Sequence, residues 1–180
     1  MERLNGTLAI DLGNTNTVIA FQNEVKDTPF LVDLPEICRS PGVVPTALWY
    51  EVETNNTLIG MQAVNESNKN DNYEKYFYSN FKRLIGNPFE RVENRDLSPE
   101  ESGEKFFHKL WNYLPCHLQI KRLVLTAPID TYKGYRKWLI DMCSSIKINE
   151  IALVDEPTAA AIGINVPHGS KIMIIDIGGS

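Results

Sequence analysis

Ile151-Ala152-Leu153-Val154-Asp155-Glu156-Pro157-Thr158-Ala159-Ala160-Ala161-Ile162-Gly163 changes character in its middle. Its first four residues are apolar and read as a buried strand. Two acids stand at the strand's end, and Pro157 opens a run of good helix formers. A proline fits there because its ring fixes φ and its missing N–H belongs to the turn that leaves amides unpaired anyway. A strand feeding directly into a helix is the repeating step of an α/β fold. The same step precedes it, with Leu123-Val124-Leu125-Thr126-Ala127 as a strand and residues 132–145 as a helix. Residues 171–175 are apolar again and are expected to form a last strand. Strands separated by helices of this length predict a mostly parallel sheet with right-handed crossovers.

Further upstream, Ser98-Pro99-Glu100-Glu101 has the cap, first-turn proline and acids of a helix start. Phe106, Phe107, Leu110, Trp111 and Leu114 then recur at three- and four-residue intervals, which gives one buried face, and Pro115 ends it. At the N-terminus, Leu8-Ala9-Ile10 and Thr17-Val18-Ile19-Ala20-Phe21 read as strands of a hairpin around a turn rich in Gly and Asn. Between Pro41 and Ser98 the composition shifts to Asn, Glu and Tyr without clean alternation, as expected of an inserted subdomain or elaborated loop region.

At 180 residues, 43% hydrophobic and 23% charged, the chain has the make-up of a soluble globular protein. Its net charge of −5 argues against a nucleic-acid partner, which calls for a basic face. No apolar stretch approaches the ~20 residues of a membrane span. Three widely spaced cysteines, Cys38, Cys116 and Cys143, fit a reducing compartment, and the cytoplasm is the expected location. His108, His117 and His168 share no ligand spacing and receive no role.

Asp11-Leu12-Gly13-Asn14-Thr15-Asn16-Thr17 places an acid at a strand end, followed by small and hydroxyl residues. Such a turn can offer backbone N–H groups to an anion while its carboxylate holds a hydrated cation. It is also compatible with an ordinary hairpin in which Asn14 and Asn16 tolerate positive φ. Asp176-Ile177-Gly178-Gly179 repeats the pattern after the last apolar run, and two such turns point to a two-sided phosphate clamp. No GxxxxGK[ST] occurs, so a P-loop is excluded.

With both turns in place, the chain resembles the actin, hexokinase and heat-shock ATPase superfamily. Within it, Lys82-Arg83-Leu84-Ile85-Gly86 resembles the segment of the seventy-kilodalton heat-shock proteins that carries their catalytic lysine. Thr126-Ala127-Pro128-Ile129-Asp130 with Arg136 resembles their interlobe switch, and Asp155–Gly163 is similar to their Glu-Pro-Thr-Ala-Ala-Ala signature. Val44-Pro45-Thr46-Ala47 and Leu58-Ile59-Gly60 fall in the same order.

The resemblance implies a ribonuclease H-like first lobe, a mixed, mostly parallel sheet flanked by helices, with residues 1–39 and 99–166 as its core. Residues 40–98 would form a small inserted α+β subdomain, and residues 167–180 would begin a second lobe. It implies ATP or ADP with Mg²⁺ as ligands, held by Asp11 and Asp176 through metal-bound water. Catalysis would rest on Lys82, Glu156, Asp11 and Asp176. Gly13, Asn14, Thr15, Asn16, Gly178 and Gly179 would contact phosphate, and Pro128 with Arg136 would sense it. Client polypeptides and co-chaperones are the implied partners of the full-length protein, with neither nucleic acid nor membrane. A 180-residue chain is expected to bind ATP weakly or not at all, and to be inactive alone. The stub at 171–175 is expected to dock locally, swap into a neighbour or move.

Without the motif, Lys82 reads as a solvated surface residue and Glu156 as a charge at a helix N-terminus. Asn14 and Asn16 depart from the family's usual Thr and aromatic residue. The span from Lys82 to Pro128 is compressed, as though an outer hairpin were missing. The other readings are a filament-forming or scaffolding actin-like ATPase, and a pseudo-ATPase binding module.

Overall fold

Strand β1, Leu4–Leu12, alternates strictly, with Leu8, Ile10 and Leu12 buried on one face and Thr7, Ala9 and Asp11 on the other. A computed structural model describes residues 3–25, 28–87, 95–129, 133–148, 150–167 and 169–175 of the chain. β2, Asn16–Asn23, returns antiparallel to β1 and sets Ile19 opposite Ile10 and Phe21 opposite Leu8. β8, Leu118–Ala127, runs parallel on the other side of β1, and β9, Glu150–Asp155, runs parallel to β8.

Two short strands, β3 (Phe30–Leu31) and β4 (Val43–Pro45), share the outer edge of β2 and are antiparallel to it. The sheet is therefore mixed, in the order β3-β2-β1-β8-β9 with β4 beside β2. The expectation of a mostly parallel sheet is corrected here: parallel pairing is confined to β1 with β8 and β8 with β9. The reason is connection length. The turn after Leu12 is too short to carry the chain back along the sheet, whereas a crossover through a helix restores the strand direction.

The chain leaves this sheet at Pro45 and enters a second one at Ala47, with Thr46 as the only residue between them. β5 (Ala47–Glu51) lies between β6 (Asn56–Ile59) and β7 (Phe77–Ser79), all antiparallel. Helices α1 (Gly60–Ser67) and α2 (Tyr73–Tyr76) belong to the same stretch. Leu48, Ile59 and Tyr78 join the main core, while Trp49 packs with Ala47 and Ala63 in a smaller cluster. Residues 47–79 thus hold a three-stranded sheet and two helices, within the stretch read from sequence as an inserted subdomain or elaborated loop region.

α3, Pro99–Tyr113, starts with the capping box its sequence implies: Glu101 N–H donates to Ser98 Oγ at 3.2 Å, and Ser98 N–H donates to Glu101 Oε2 at 2.8 Å. Phe106, Phe107 and Leu110 are fully buried against the sheet face that carries Leu8 and Ile10, and Trp111 and Leu114 pack at its margin. α4, Lys133–Cys143, buries Tyr135, Trp138, Leu139 and Met142 in the same core. α5, Glu156–Gly163, follows β9 directly and lies on the opposite face. There Ala9, Ala20, Val124 and Val154 line an apolar groove of about 620 Å³ with α5 residues Ile162 and Gly163.

Residues 171–175 are not a strand, and Met173 and Ile175 are 84% and 72% exposed. An apolar run becomes a strand only by pairing with a neighbour, and none of the described strands lies beside it.

Candidate functional site

The turn between β1 and β2 is tightly wound and tied back. A side chain on Gly13 would bring its Cβ within 2.2 Å of the Asn16 carbonyl oxygen, so only glycine allows this closure. The Thr46 hydroxyl donates to the Gly13 carbonyl at 2.8 Å and shares a buried 2.9 Å bond with the Thr17 hydroxyl. With its proton committed to Gly13, Thr46 accepts from Thr17. Thr46 N–H donates to the Thr15 carbonyl at 2.9 Å. Two turn carbonyls that would repel an anion are thus engaged by a single residue. Asn14 and Asn16 do not adopt the positive φ that the ordinary hairpin reading relied on; Asn55, Asn80 and Asn165 do.

Asp11 projects from the face of β1 opposite the core, beside β8, and its Oδ1 accepts from the Thr126 hydroxyl. Lys82 opens a 3-10 turn, Lys82–Leu84, anchored on either side by buried Phe81 and Ile85. The loop is fixed again at Gly86, whose φ is +75° and whose N–H donates to Glu100 Oε1 at 2.8 Å. A Cβ on Gly86 would lie 2.6 Å from the Tyr135 backbone nitrogen, so the lysine loop and the first turn of α4 meet backbone to backbone.

Lys82 Nζ donates to Glu156 Oε1 at 2.7 Å, and the two side chains are 11% and 22% exposed. Glu156 is the first residue of α5, where a carboxylate also complements the helix dipole. The Tyr135 ring lies under the ammonium, its centroid 5.9 Å from Nζ. Burial first, then the charges of Glu156 and Asp11, push the Tyr135 phenol well above its ordinary pKa. Asn14 Nδ2 donates to Asn80 Oδ1 at 3.0 Å, joining the turn to the strand end just before Lys82.

These groups surround one open cleft of about 570 Å³, the size of a small-molecule site. Asp11, Gly13, Asn14, Thr15, Asn16, Lys82 and Glu156 all line it, with Thr126, Ala159 and Ala160 completing the wall. Two formal negative charges, Asp11 and Glu156, face one positive charge, Lys82. An incoming polyanion therefore needs a counter-cation. No group of three or more His, Cys, Asp or Glu side chains capable of holding a metal occurs among the described residues. The donor set around Asp11 is oxygen-rich with one carboxylate. That fits a hydrated Mg²⁺ and does not suit a dedicated all-protein cage.

Pro128 and Arg136 meet beside this cleft but do not line it. Arg136 Nη2 donates to the Pro128 carbonyl at 3.5 Å and forms an ion pair with Asp155, both side chains being about 40% exposed. Asp176, Gly178 and Gly179 lie outside the described residues. Thr46, Asn80, Thr126 and Tyr135 carried no site role in the sequence. Thr46 and Thr126 stood inside quoted motifs, but a hydroxyl's partner depends on strand register and cannot be read from one segment.

No family model matches the chain. Curated relatives do, DnaK chaperones among them. The DnaK of Cyanidium caldarium is 28% identical over 209 aligned positions, covering 99% of this chain and 32% of its own. That of Metamycoplasma hominis is 29% identical over 182 positions, covering 96% and 28%. That of Thermotoga maritima is 25% identical over 184 positions, covering 99% and 30%. The chain is similar to these DnaK chaperones along nearly all of its length and spans about a third of theirs.

Proposed function

We propose that this DnaK-like chain supplies one lobe of an ATP-binding and ATP-hydrolysing domain in a heat-shock-type chaperone, whose full-length form couples hydrolysis to client binding. The observation that carries the reading is the convergence of Asp11, the turn 13–16, Lys82 and Glu156 on one cleft, from three places far apart in sequence. The DnaK relatives agree with it and give no support to a filament or scaffold role.

Phosphoryl transfer asks little covalent work of the protein; positioning and charge neutralisation dominate. Lys82 offers its ammonium to the γ-phosphate and orients the attacking water. Glu156 holds Lys82 beforehand and helps place that water. Gly13, Asn14, Thr15 and Asn16 supply backbone and side-chain donors to phosphate oxygens, while Thr46 engages the Gly13 and Thr15 carbonyls. Asp11, with Asp176, is the seat for a hydrated Mg²⁺, which when bound neutralises charge on the β- and γ-phosphates. Gly178 and Gly179 would form the facing turn, and Pro128 with Arg136 would relay the phosphate's presence to the lobe boundary.

In this reading residues 1–39 and 99–166 are a ribonuclease H-like core, residues 40–98 are the outer subdomain that delivers Lys82, and residues 167–180 begin the second lobe. Co-chaperones act on the full-length protein, and its location is the cytoplasm.

The test is a titration of the ¹⁵N-labelled chain with Mg-ATP at millimolar concentration. Shifts concentrated at residues 11–16, Lys82 and Glu156, with calorimetric affinity weaker than low micromolar, are expected. Shifts concentrated elsewhere in the chain would overturn the assignment.

A further inference from the structure

Among the buried polar groups that the roles above leave unused, one lies beside the Lys82–Glu156 pair. Tyr135 is 1% exposed, and its hydroxyl has no hydrogen-bond partner among the described residues. Leaving a buried hydroxyl unpaired is unfavourable, so such a group needs an explanation. Its place is not adjustable. Gly86 and Gly134 approach so closely that a Cβ on either would collide with the other's backbone, which locks the first turn of α4 under the lysine loop.

Above the phenol ring sits Lys82 Nζ, 5.9 Å from the centroid, and that ammonium holds Glu156 at 2.7 Å. Glu156 and then Asp11 raise the phenol's pKa, after burial itself, so both carboxylates are electrostatic neighbours of the ring, and Glu156 is the one that depends on Lys82 for its cation. A carboxylate can accept several hydrogen bonds, and a phenol O–H is a suitable donor. While Lys82 serves Glu156, the phenol is not required. Once Lys82 turns towards a phosphate, Glu156 loses its cation in a partly buried setting, where an uncompensated charge is costly.

We infer that Tyr135 is a positioning residue with a donor in reserve: its hydroxyl takes over the Glu156 carboxylate when Lys82 is drawn away to bound phosphate. The event that draws Lys82 away rests on the nucleotide reading, but the reserve donor does not, because removing the ammonium by mutation has the same effect. A purely structural Tyr135, packed against the tilted Trp138 ring at 5.6 Å between ring centroids, would respond to neither.

The experiment compares wild type, Lys82→Met, Tyr135→Phe and the double variant of the 180-residue chain, by thermal melts and by tyrosine Raman spectra. Differences against the matching Tyr135→Phe spectrum isolate Tyr135 from the other tyrosines. Tyr135→Phe is expected to leave the wild-type midpoint unchanged or raised, because it removes an unpaired hydroxyl. In the Lys82→Met background it is expected to lower the midpoint by roughly 2–4 °C, the shift of one hydrogen bond in a chain of this size.

A donor-type Tyr135 signature should appear in Lys82→Met and vanish on adding Glu156→Gln. Lys82→Ala serves the same purpose if the methionine variant does not fold. Equal effects of Tyr135→Phe in both backgrounds, with no new signature, would sink the inference. If the Lys82→Met results hold but Mg-ATP shifts the cleft without evoking the signature in wild type, the phosphate role of Lys82 falls and the reserve donor stands. If Mg-ATP shifts the cleft while the Lys82→Met results fail, the converse holds.

Discussion

Lys82 and Glu156, 74 positions apart in the chain, meet at 2.7 Å as an ion pair whose side chains are 11% and 22% exposed. The attraction is only partly screened, and either charge left alone is poorly solvated. Lys82→Ala is expected to cost about 1–3 kcal/mol of stability, below the range for fully buried pairs. Replacing both residues should cost less than the sum of the single changes. Chemical denaturation of the four members of the cycle measures this. On the ATPase reading proposed above, the same change in the full-length protein should lower ATP turnover roughly 10²–10³-fold, the scale for loss of one preorganised charge-stabilising group.

Thr46→Val tests the tie on the turn. The change keeps the shape but leaves the Thr17 hydroxyl, 0% exposed, without its neighbour and releases the Gly13 carbonyl. A stability loss of about 1–3 kcal/mol is expected, together with a weaker Mg-ATP response at residues 13–16. Unchanged melting and unchanged amide shifts would show that Thr46 is not the clamp on this turn.

The α3 capping box gives a pH prediction with a definite sign. Glu101 is held below its ordinary 4.5, first by the Ser98 backbone N–H and then by the Ser98 side chain. A depressed folded pKa means that the contribution is complete above about pH 4.5 and is lost as pH falls through the folded value. The midpoint difference between wild type and Glu101→Gln should therefore be steady from pH 7 to 5 and shrink below that. A difference that grows in acid would contradict the cap geometry.

Cysteine chemistry should separate by depth. Burial pushes the Cys143 thiol up to about 11, whereas Cys116 is exposed. At pH 7.5 a disulfide reagent should label Cys116 quickly and reach Cys143 only on unfolding, since the thiolate is the reactive form. Peptide mapping after timed quenching reads this, and equal labelling rates would count against the packing of α4.

Local signals carried much of the architecture. Ser98 and Glu101 sit at capping-box spacing, and the box forms. Ile151 to Gly163 reads as strand then helix, and does so as β9 and α5. Long-range choices were not visible. Trp49 and Tyr78 are buried on strands β5 and β7, yet the polar residues around them hide the alternation until the strands pair. The bonds Thr46 to Gly13 and Thr126 to Asp11 depend on register between segments 33 and 115 positions apart. Residues 171–175 show the opposite case: apolar enough for a strand, they have no described neighbour to pair with. The cleft was legible through the family resemblance, whereas Tyr135 and Asn80 follow only from packing.

The single-residue step at Thr46 makes the two sheets mechanically inseparable from the turn that faces the cleft. Because the same residue spans the joint and grips the carbonyls of Gly13 and Thr15, a tilt of the outer sheet acts as a lever on them. A force applied far out on β5 to β7 is thus delivered at the mouth of the cleft, with Thr46 as the fulcrum.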